Sequence, residues 1–175
     1  IGGGDGAARD ADLALRVRTD SDGGQAAFRV LYDRYHDELF AFLRKLLNDS
    51  ALSEDVLQEA FLKAYAAIDQ YDPERAFRPW IYRIARNAAL DALRVRKKVK
   101  RLEALPRPRA TDAGAAERLA RKEDVARLQS ALDSLPPETK ALLIQRHGLC
   151  MKLSELSQSF DCTERTIRNR LRAAA

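Results

Sequence analysis

Apolar side chains recur at intervals of three and four residues along most of the chain. Over residues 23–48 they keep this period for about six turns, at Phe28, Leu31, Tyr32, Tyr35, Leu39, Phe42, Leu43 and Leu46. A polar break at 48–50 offers an N-cap for a second helix. That helix is predicted over 51–68, with an apolar face of Leu57, Ala60, Phe61, Ala64 and Ile68. Outside this face lie four polar residues that stay available to a partner: Asp55, Gln58, Glu59 and Lys63.

A third amphipathic stretch spans residues 77–101. Its apolar positions are Ile81, Ile84, Ala85, Ala88, Ala92 and Val95. Pro79 suits the first turn of a helix, where a missing N–H costs nothing. The opposite face carries Arg83, Arg86, Asn87 and Arg94 beside the aromatic start of the stretch. Such a surface can stack on bases while holding phosphates, although a solvated helix with Trp80 in the core fits the pattern equally well.

Helical period fails from Leu102, where prolines, a glycine and small polar residues predict a linker over 102–120. It resumes near Arg118 and runs to Pro136–Pro137, followed by a short helix over 138–147 and a final pair over 152–160 and 163–175. Residues 1–22 are expected to form a flexible start, with a possible short helix over 12–18.

Strand patterns are absent, since no segment alternates apolar and polar residues. The sequence therefore predicts an all-α protein with two small helical domains joined by a flexible linker. We expect a flexible segment at 1–22, a first domain at 23–101, a linker at 102–120 and a second domain at 121–175.

The final helix pair has helix-turn-helix proportions. Leu153, Leu156 and Phe160 would pack on Ile167 and Leu171. The second helix would be capped by Thr163 and would present outward Arg165, Arg168, Asn169 and Arg172. Arginine and asparagine are the usual readers of guanine and adenine in the major groove, so DNA binding is predicted here.

Charge supports a polyanionic partner because the cations are concentrated locally. The net charge is +5, and six of the eight residues from Arg94 to Arg101 are basic. Cys150 and Cys162 have no metal-ligand spacing, so no metal or cofactor is expected and both thiols should stay reduced. No apolar run approaches the ~18 residues of a membrane span and no signal peptide is visible, so we expect no membrane insertion. No nucleophile motif or phosphate loop indicates an enzyme.

Five runs in this order resemble the extracytoplasmic-function (ECF) group of bacterial σ70-family initiation factors. They are FRVLYDRY, SEDVLQEAFLKAY, FRPWIYRIARNAALDALR, LDSLPPETKALLIQR and LSELSQSFDCTERTIRNRLRAA, and they cover about 150 residues. The resemblance implies a σ2 domain, a linker and a σ4 domain. It implies a non-catalytic factor that recruits core RNA polymerase, recognises the −10 and −35 promoter elements and aids promoter opening in the bacterial cytoplasm, associated with the nucleoid when in holoenzyme.

Residue roles follow from the same resemblance. Asp55, Gln58, Glu59 and Lys63 match the face that docks on the clamp helices of polymerase β′, and the β flap is implied as a further contact. The loop with Tyr71, Arg75 and Phe77 is similar to one that captures a flipped base of the −10 element. The adjoining −10 surface comprises Trp80, Tyr82, Arg83, Arg86, Asn87 and Arg94. The −35 surface comprises Thr163, Arg165, Arg168, Asn169 and Arg172. An anti-sigma factor is a further partner that the resemblance allows.

Two positions depart from the family pattern. Cys150 stands where a turn glycine is usual before the helix-turn-helix, and Arg165 replaces a glycine common near the start of the reading helix. Arg165 adds a cation, so the −35 preference is expected to differ.

Two alternative functions remain at this point. A stand-alone helix-turn-helix regulator would explain the end of the chain, but it leaves Asp55–Glu59 and the Trp80 region without a task. A σ-like interaction module that binds an anti-sigma regulator would make the basic block and the second helix of the pair dispensable.

Overall fold

A computed structural model describes residues 3–20, 23–103 and 129–174 of the chain, with side chains described at 10–20, 23–99 and 129–174. Every secondary-structure element in these parts is a helix, which confirms the all-α prediction. The predicted linker at 102–120 lies outside the described residues, apart from its first two positions.

The N-terminal half consists of four helices and one short turn. These are α1 (Gly3–Thr19), α2 (Gly24–Leu47), α3 (Ser50–Ala66), a 3₁₀ turn at Ile68–Gln70 and α4 (Phe77–Glu103). The break between α2 and α3 is as predicted: Asn48 adopts a left-handed conformation, with φ 54°, and the Asp49 carboxylate accepts a hydrogen bond from the Leu52 N–H at 3.1 Å.

Helix α1 differs from the sequence expectation of a mostly flexible start. It is longer than the segment 12–18 and it packs against α2, with Ala14 fully buried and Asp10 only 4% exposed. Its apolar residues are mostly alanines, and only Leu13, Leu15 and Val17 are larger, so periodicity gave little signal. A buried contact between Asp10 and the Tyr35 hydroxyl helps to hold α1 on α2, and such a contact is not visible in a sequence pattern.

The C-terminal half begins within the described residues as α5 (129–134). It continues through α6 (Pro137–Leu143), a π-helical turn (Ile144–Gly148), α7 (Leu153–Phe160) and α8 (Glu164–Ala173). Left-handed Asp161, with φ 50°, ends α7, and the Thr163 hydroxyl accepts a hydrogen bond from the Thr166 N–H at 3.2 Å to start α8. The predicted Thr163 cap and the helix-turn-helix are thus confirmed.

The two halves share one apolar core. Leu39, Phe42 and Leu43 of α2 lie in the same cluster as Leu142 of α6 and Leu156 of α7. Helix α7 packs along α4, while α6 and the π-helical turn contact α2. Within the described ranges, no helix is both long enough and apolar enough to cross a lipid bilayer.

A lysine of the C-terminal half joins the two halves by a polar contact. Lys140, only 4% exposed, donates hydrogen bonds to the Leu46 carbonyl oxygen at 3.0 Å and to Asp133 at 2.6 Å. A cation near the C-terminal carbonyls of a helix is favourable, so Lys140 supplements the end of α2 from across the interface.

Candidate nucleic-acid and polymerase interface

The outer face of α3 carries the four residues predicted to meet polymerase. Asp55, Gln58, Glu59 and Lys63 are all exposed. Glu59 and Lys63 pair at 2.6 Å along the helix surface, an exposed contact that contributes little to stability. The face is therefore available to a partner.

Two apolar residues on α3 were missed by the sequence reasoning. Leu62 is 72% exposed and Tyr65 is 45% exposed. Leu62 lies one turn beyond Gln58 and Glu59, on the same face. A single exposed leucine is common on protein surfaces, so Leu62 adds apolar area to this face without marking a docking site by itself. The sequence could have indicated this residue, because Leu62 is a leucine that lies outside the apolar period of the helix.

The loop after the 3₁₀ turn and the start of α4 form an aromatic cluster. The Phe77 ring lies 5.4 Å from Tyr71 and 5.3 Å from Trp80, centroid to centroid, and Tyr71 lies 5.3 Å from Trp80. Burial, followed by the charges of Asp10 and Asp72, raises the pKa of Tyr71 to about 12. Its hydroxyl therefore stays protonated and donates to the Arg75 carbonyl oxygen at 2.5 Å.

A cavity of about 250 Å³ opens beside this cluster. Its lining includes Gln70, Tyr71, Arg75, Trp80 and Arg83, together with Gln158 from α7. This size approaches the lower end of small-molecule pockets, about 300 Å³. Asp72 also lines the cavity and pairs with Arg75 at 3.3 Å. The aromatic wall and the Arg83 guanidinium can hold a planar group attached to an anion, which would compete with Asp72 for Arg75.

The predicted −10 residues divide between core and surface. Phe77 and Tyr82 are fully buried and Tyr71 is 2% exposed, so these three side chains support the surface from below. Trp80 and Arg83 are half-buried, whereas Arg75, Asn87 and Arg94 are exposed. Their roles in DNA binding stay predictions.

Arg86 differs most from its expected position, because it is buried against the C-terminal half. Its guanidinium donates to the Ser159 carbonyl oxygen at 2.8 Å and lies 4.1 Å from the centre of the Phe160 ring. Burial lowers its pKa to about 10; Glu138 opposes this shift, whereas Arg83 and Arg170 reinforce it. Arg86 is still charged at neutral pH. In this arrangement it contacts α7 and is not open to DNA.

Helix α7 thus covers part of the predicted −10 surface. A second, polar cavity of about 410 Å³ lies at this junction, lined by Asn87, Asp91 and Arg94 of α4 and by Glu138 and Arg170 of the C-terminal half. The structure therefore brings the predicted −10 surface against the helix-turn-helix.

The predicted −35 surface remains open. Arg165, Arg168, Asn169 and Arg172 are exposed on one face of α8, while Ile167 on the opposite face is fully buried. Arg168 pairs with Glu164 at 3.6 Å along the helix, a contact that water screens and that a partner can displace. Among the described residues, no group of three or more His, Cys, Asp or Glu is arranged to hold a metal ion.

Comparison with known proteins agrees with this architecture. Residues 31–99 match the family profile described as Sigma-70 region 2, and residues 126–175 match Sigma-70, region 4. The ECF RNA polymerase sigma factor SigW of Bacillus subtilis is 37% identical over 85 residues, which are 49% of this chain and 46% of SigW. The chain thus spans about half the length of the curated relatives that it matches first.

Two solved structures share the fold. CnrH in complex with the cytosolic domain of CnrY aligns with a TM-score of 0.68 at 23% identity, covering 95% of this chain and 92% of that one. The sigma factor RpoE in complex with the anti-sigma factor NepR from Bartonella quintana aligns with a TM-score of 0.64 at 20% identity, covering 84% and 91%. With both σ70 regions matched in order and ECF sigma factors among its relatives, the chain belongs to the ECF group of the σ70 family of sigma factors.

Proposed function

We propose that this protein is a non-catalytic initiation subunit that directs core RNA polymerase to promoters. The α3 face would dock on the clamp helices of β′, α4 with its neighbouring cavity would engage the −10 element, and α8 would read the −35 element. The observation that carries the proposal is the capped, exposed arginine and asparagine face of α8. It occurs in a chain that also has a partner-accessible α3 face.

The unpaired-base role of the cavity is supported by its chemistry. Extracting a base from a duplex costs a few kcal/mol of unstacking, which aromatic and cationic contacts can offset. Trp80, Arg75 and Arg83 supply these contacts at the cavity beside the loop. One small domain lacks the groups to melt a duplex unaided, so polymerase must contribute the remainder.

Use of the whole −10 surface requires the two halves to separate. Arg86 is 8% exposed and contacts Ser159 and Phe160, so DNA cannot reach its guanidinium while α7 lies on α4, and Gln158 of α7 forms part of the cavity wall. We propose that binding to polymerase draws the halves apart. Two tethered reading modules then raise affinity by effective concentration, provided that the connecting segment spans the gap.

Further parts of the proposal concern location and regulation. We propose that the protein is cytoplasmic and that its holoenzyme associates with the nucleoid, because the holoenzyme binds promoter DNA. An anti-sigma factor is proposed as a second partner, since the related RpoE has been solved with one bound.

Run-off transcription with core polymerase over a randomised promoter library tests the proposal. We expect two conserved blocks to emerge among transcribed templates, at −35 and −10 spacing, and only when both protein and core polymerase are present. Specific binding to promoter DNA by the protein alone, unchanged by polymerase, would instead support a stand-alone helix-turn-helix regulator.

A further inference from the structure

Helix α1 is attached to the body of the protein by a buried carboxylate. Asp10 is 4% exposed and Ala14 is fully buried. The helix approaches α2 closely at Gly24, where a Cβ atom would come within 3.0 Å of the Val17 carbonyl oxygen. These contacts hold α1 in one position relative to α2.

Asp10 connects α1 to an aromatic residue of α2. Its carboxylate accepts a hydrogen bond from the Tyr35 hydroxyl at 2.5 Å and pairs with Arg34. Burial, strengthened by the bond to Asp10, raises the pKa of Tyr35, so its hydroxyl remains a donor over the physiological range. The Tyr35 ring is thereby fixed along its long axis.

Tyr35 in turn supports the wall of the 250 Å³ cavity. Its ring lies 5.5 Å from that of Phe77, and Phe77 contacts both Tyr71 and Trp80, which line the cavity. Arg18 of α1 adds a second connection: it lies 3.5 Å from the Tyr71 carbonyl oxygen and 3.6 Å from Asp69. A helix distant from the cavity along the chain therefore contacts its supporting layer at two points.

We propose that α1 positions the base pocket, with Asp10 as the positioning residue that acts through Tyr35 and Phe77 on the Tyr71–Trp80 wall. This inference rests on the proposed function, in which the cavity takes an unpaired base. Packed aromatic rings transmit displacement because interiors are dense and cannot absorb a shift. Loosening Tyr35 would move the wall and lower the preference for one base over the other three.

The test uses the full chain with core polymerase and a promoter library randomised over both elements. Tyr35→Phe removes only the hydroxyl, and Asp10→Asn removes the carboxylate charge. We expect each to lower base discrimination at one −10 position by about two- to tenfold, the range that one lost hydrogen bond supplies. The double variant should lose no more than the stronger single one, because both act through one contact.

Matched controls separate positioning from general weakening. Asp33→Asn changes an exposed aspartate of α2 that pairs only with Arg29 in the described contacts. It should leave the preference for each base unchanged at every −10 position. Thermal unfolding establishes that each variant is folded. If Asp10→Asn does not fold, Tyr35→Phe and Arg18→Met carry the test.

The inference is overturned if folded Tyr35→Phe holoenzyme keeps wild-type ratios at all −10 positions. It is equally overturned if discrimination falls in parallel at −10 and −35, since that indicates general destabilisation. A wild-type holoenzyme with no base preference at any −10 position would instead overturn the proposed function itself.

Discussion

Cys150 occupies a backbone conformation that a side chain disfavours. Its φ is 52°, in the left-handed region that favours glycine, at the position where the family resemblance led us to expect a turn glycine. A residue with a Cβ atom costs about 1–2 kcal/mol there, and its thiol makes only a weak contact to the His147 carbonyl oxygen, at 4.0 Å. The family departure seen in the sequence is therefore a site of backbone strain.

Replacing Cys150 with glycine should stabilise the protein. The relief of strain is partly offset by the larger entropy of glycine in the unfolded chain, which leaves roughly 0.5–1 kcal/mol. Urea denaturation measures this as an increased free energy of unfolding. Ser154→Gly, in the first turn of helix α7, is the control for the entropy of glycine and should destabilise the protein slightly. A loss of stability in Cys150→Gly would contradict the strain argument.

Asn87 offers a direct test of the −10 assignment. It is exposed on α4, and its side-chain oxygen accepts a hydrogen bond from Arg86 at 3.0 Å. We expect Asn87→Ala to weaken −10-dependent transcription while leaving the affinity for core polymerase unchanged. Run-off assays and a polymerase pull-down measure the two effects, and a loss of polymerase binding would count against the assignment.

At the level of elements, substitutions on the outer face of α3 should weaken binding to core polymerase, which Asn87→Ala leaves unchanged. Leu62 is the most exposed large apolar residue of the described chain, and it lies among the polar residues proposed to meet polymerase. Leu62→Ser should weaken binding to core polymerase by roughly ten- to a hundredfold, because burial of a leucine side chain contributes roughly 1.5–3 kcal/mol. Fluorescence titration against core polymerase checks this, with exposed Val30→Ser of α2 as the matched control. If both variants lost the same affinity for core polymerase, the α3 face would not be the specific docking site.

Helix α8 should read sequence through particular side chains. If Arg168 makes a bidentate contact to a base, Arg168→Ala should cost about 1–3 kcal/mol at the −35 site and relax specificity at one position. Gel-shift assays of the holoenzyme on matched and mutated −35 elements measure this. A uniform loss on all sequences would show a phosphate contact instead. The slope of log K against the logarithm of the salt concentration would then be smaller by about one.

Sequence periodicity predicted the helices whose apolar faces are broad. Helices α2, α3 and α8 bury the residues that their spacing indicated, such as Leu39, Phe61 and Ile167. It did not predict the extent of α1, whose attachment depends on Asp10, nor the π-helical turn at Ile144–Gly148. A sequence pattern predicts that charged side chains are exposed, so it could not predict the burial of Arg86 and Lys140. Both are satisfied by carbonyl oxygens from distant parts of the chain.

The residue types of the candidate site were predictable, whereas their exposure was not. Arginines, asparagines and aromatics marked the predicted −10 and −35 surfaces, because nucleic-acid recognition commonly uses those residue types. Their exposure was not predictable, since it depends on which half covers the other. Tyr82, for example, is fully buried beside the Phe42 ring at 5.4 Å.

At the scale of the whole molecule, the contact between the halves should restrain DNA binding by the free protein. Lys140→Met removes the donor to Leu46 and leaves the carbonyl oxygen and Asp133 without that partner, at a cost of about 1–3 kcal/mol. We expect the variant to be more expanded in small-angle X-ray scattering and to bind a −10 single strand more tightly than the wild type.

The matched control is Arg29→Met, which removes an exposed cation that pairs with Asp33 on α2. It should change neither the scattering profile nor the affinity for the strand. An expanded Lys140→Met protein that binds the strand no better than the wild type would show that the interface does not restrain −10 binding.

The mixed character of this interface also has a thermal consequence. Separating α7 from α4 would expose Phe160 and Leu156 to water as well as the Arg86 guanidinium. Exposure of apolar surface raises the heat capacity, so the free energy of separation is curved in temperature and the apolar contribution weakens on cooling. The fraction of molecules with an accessible −10 surface should therefore increase in the cold as well as on heating, with a minimum between the two.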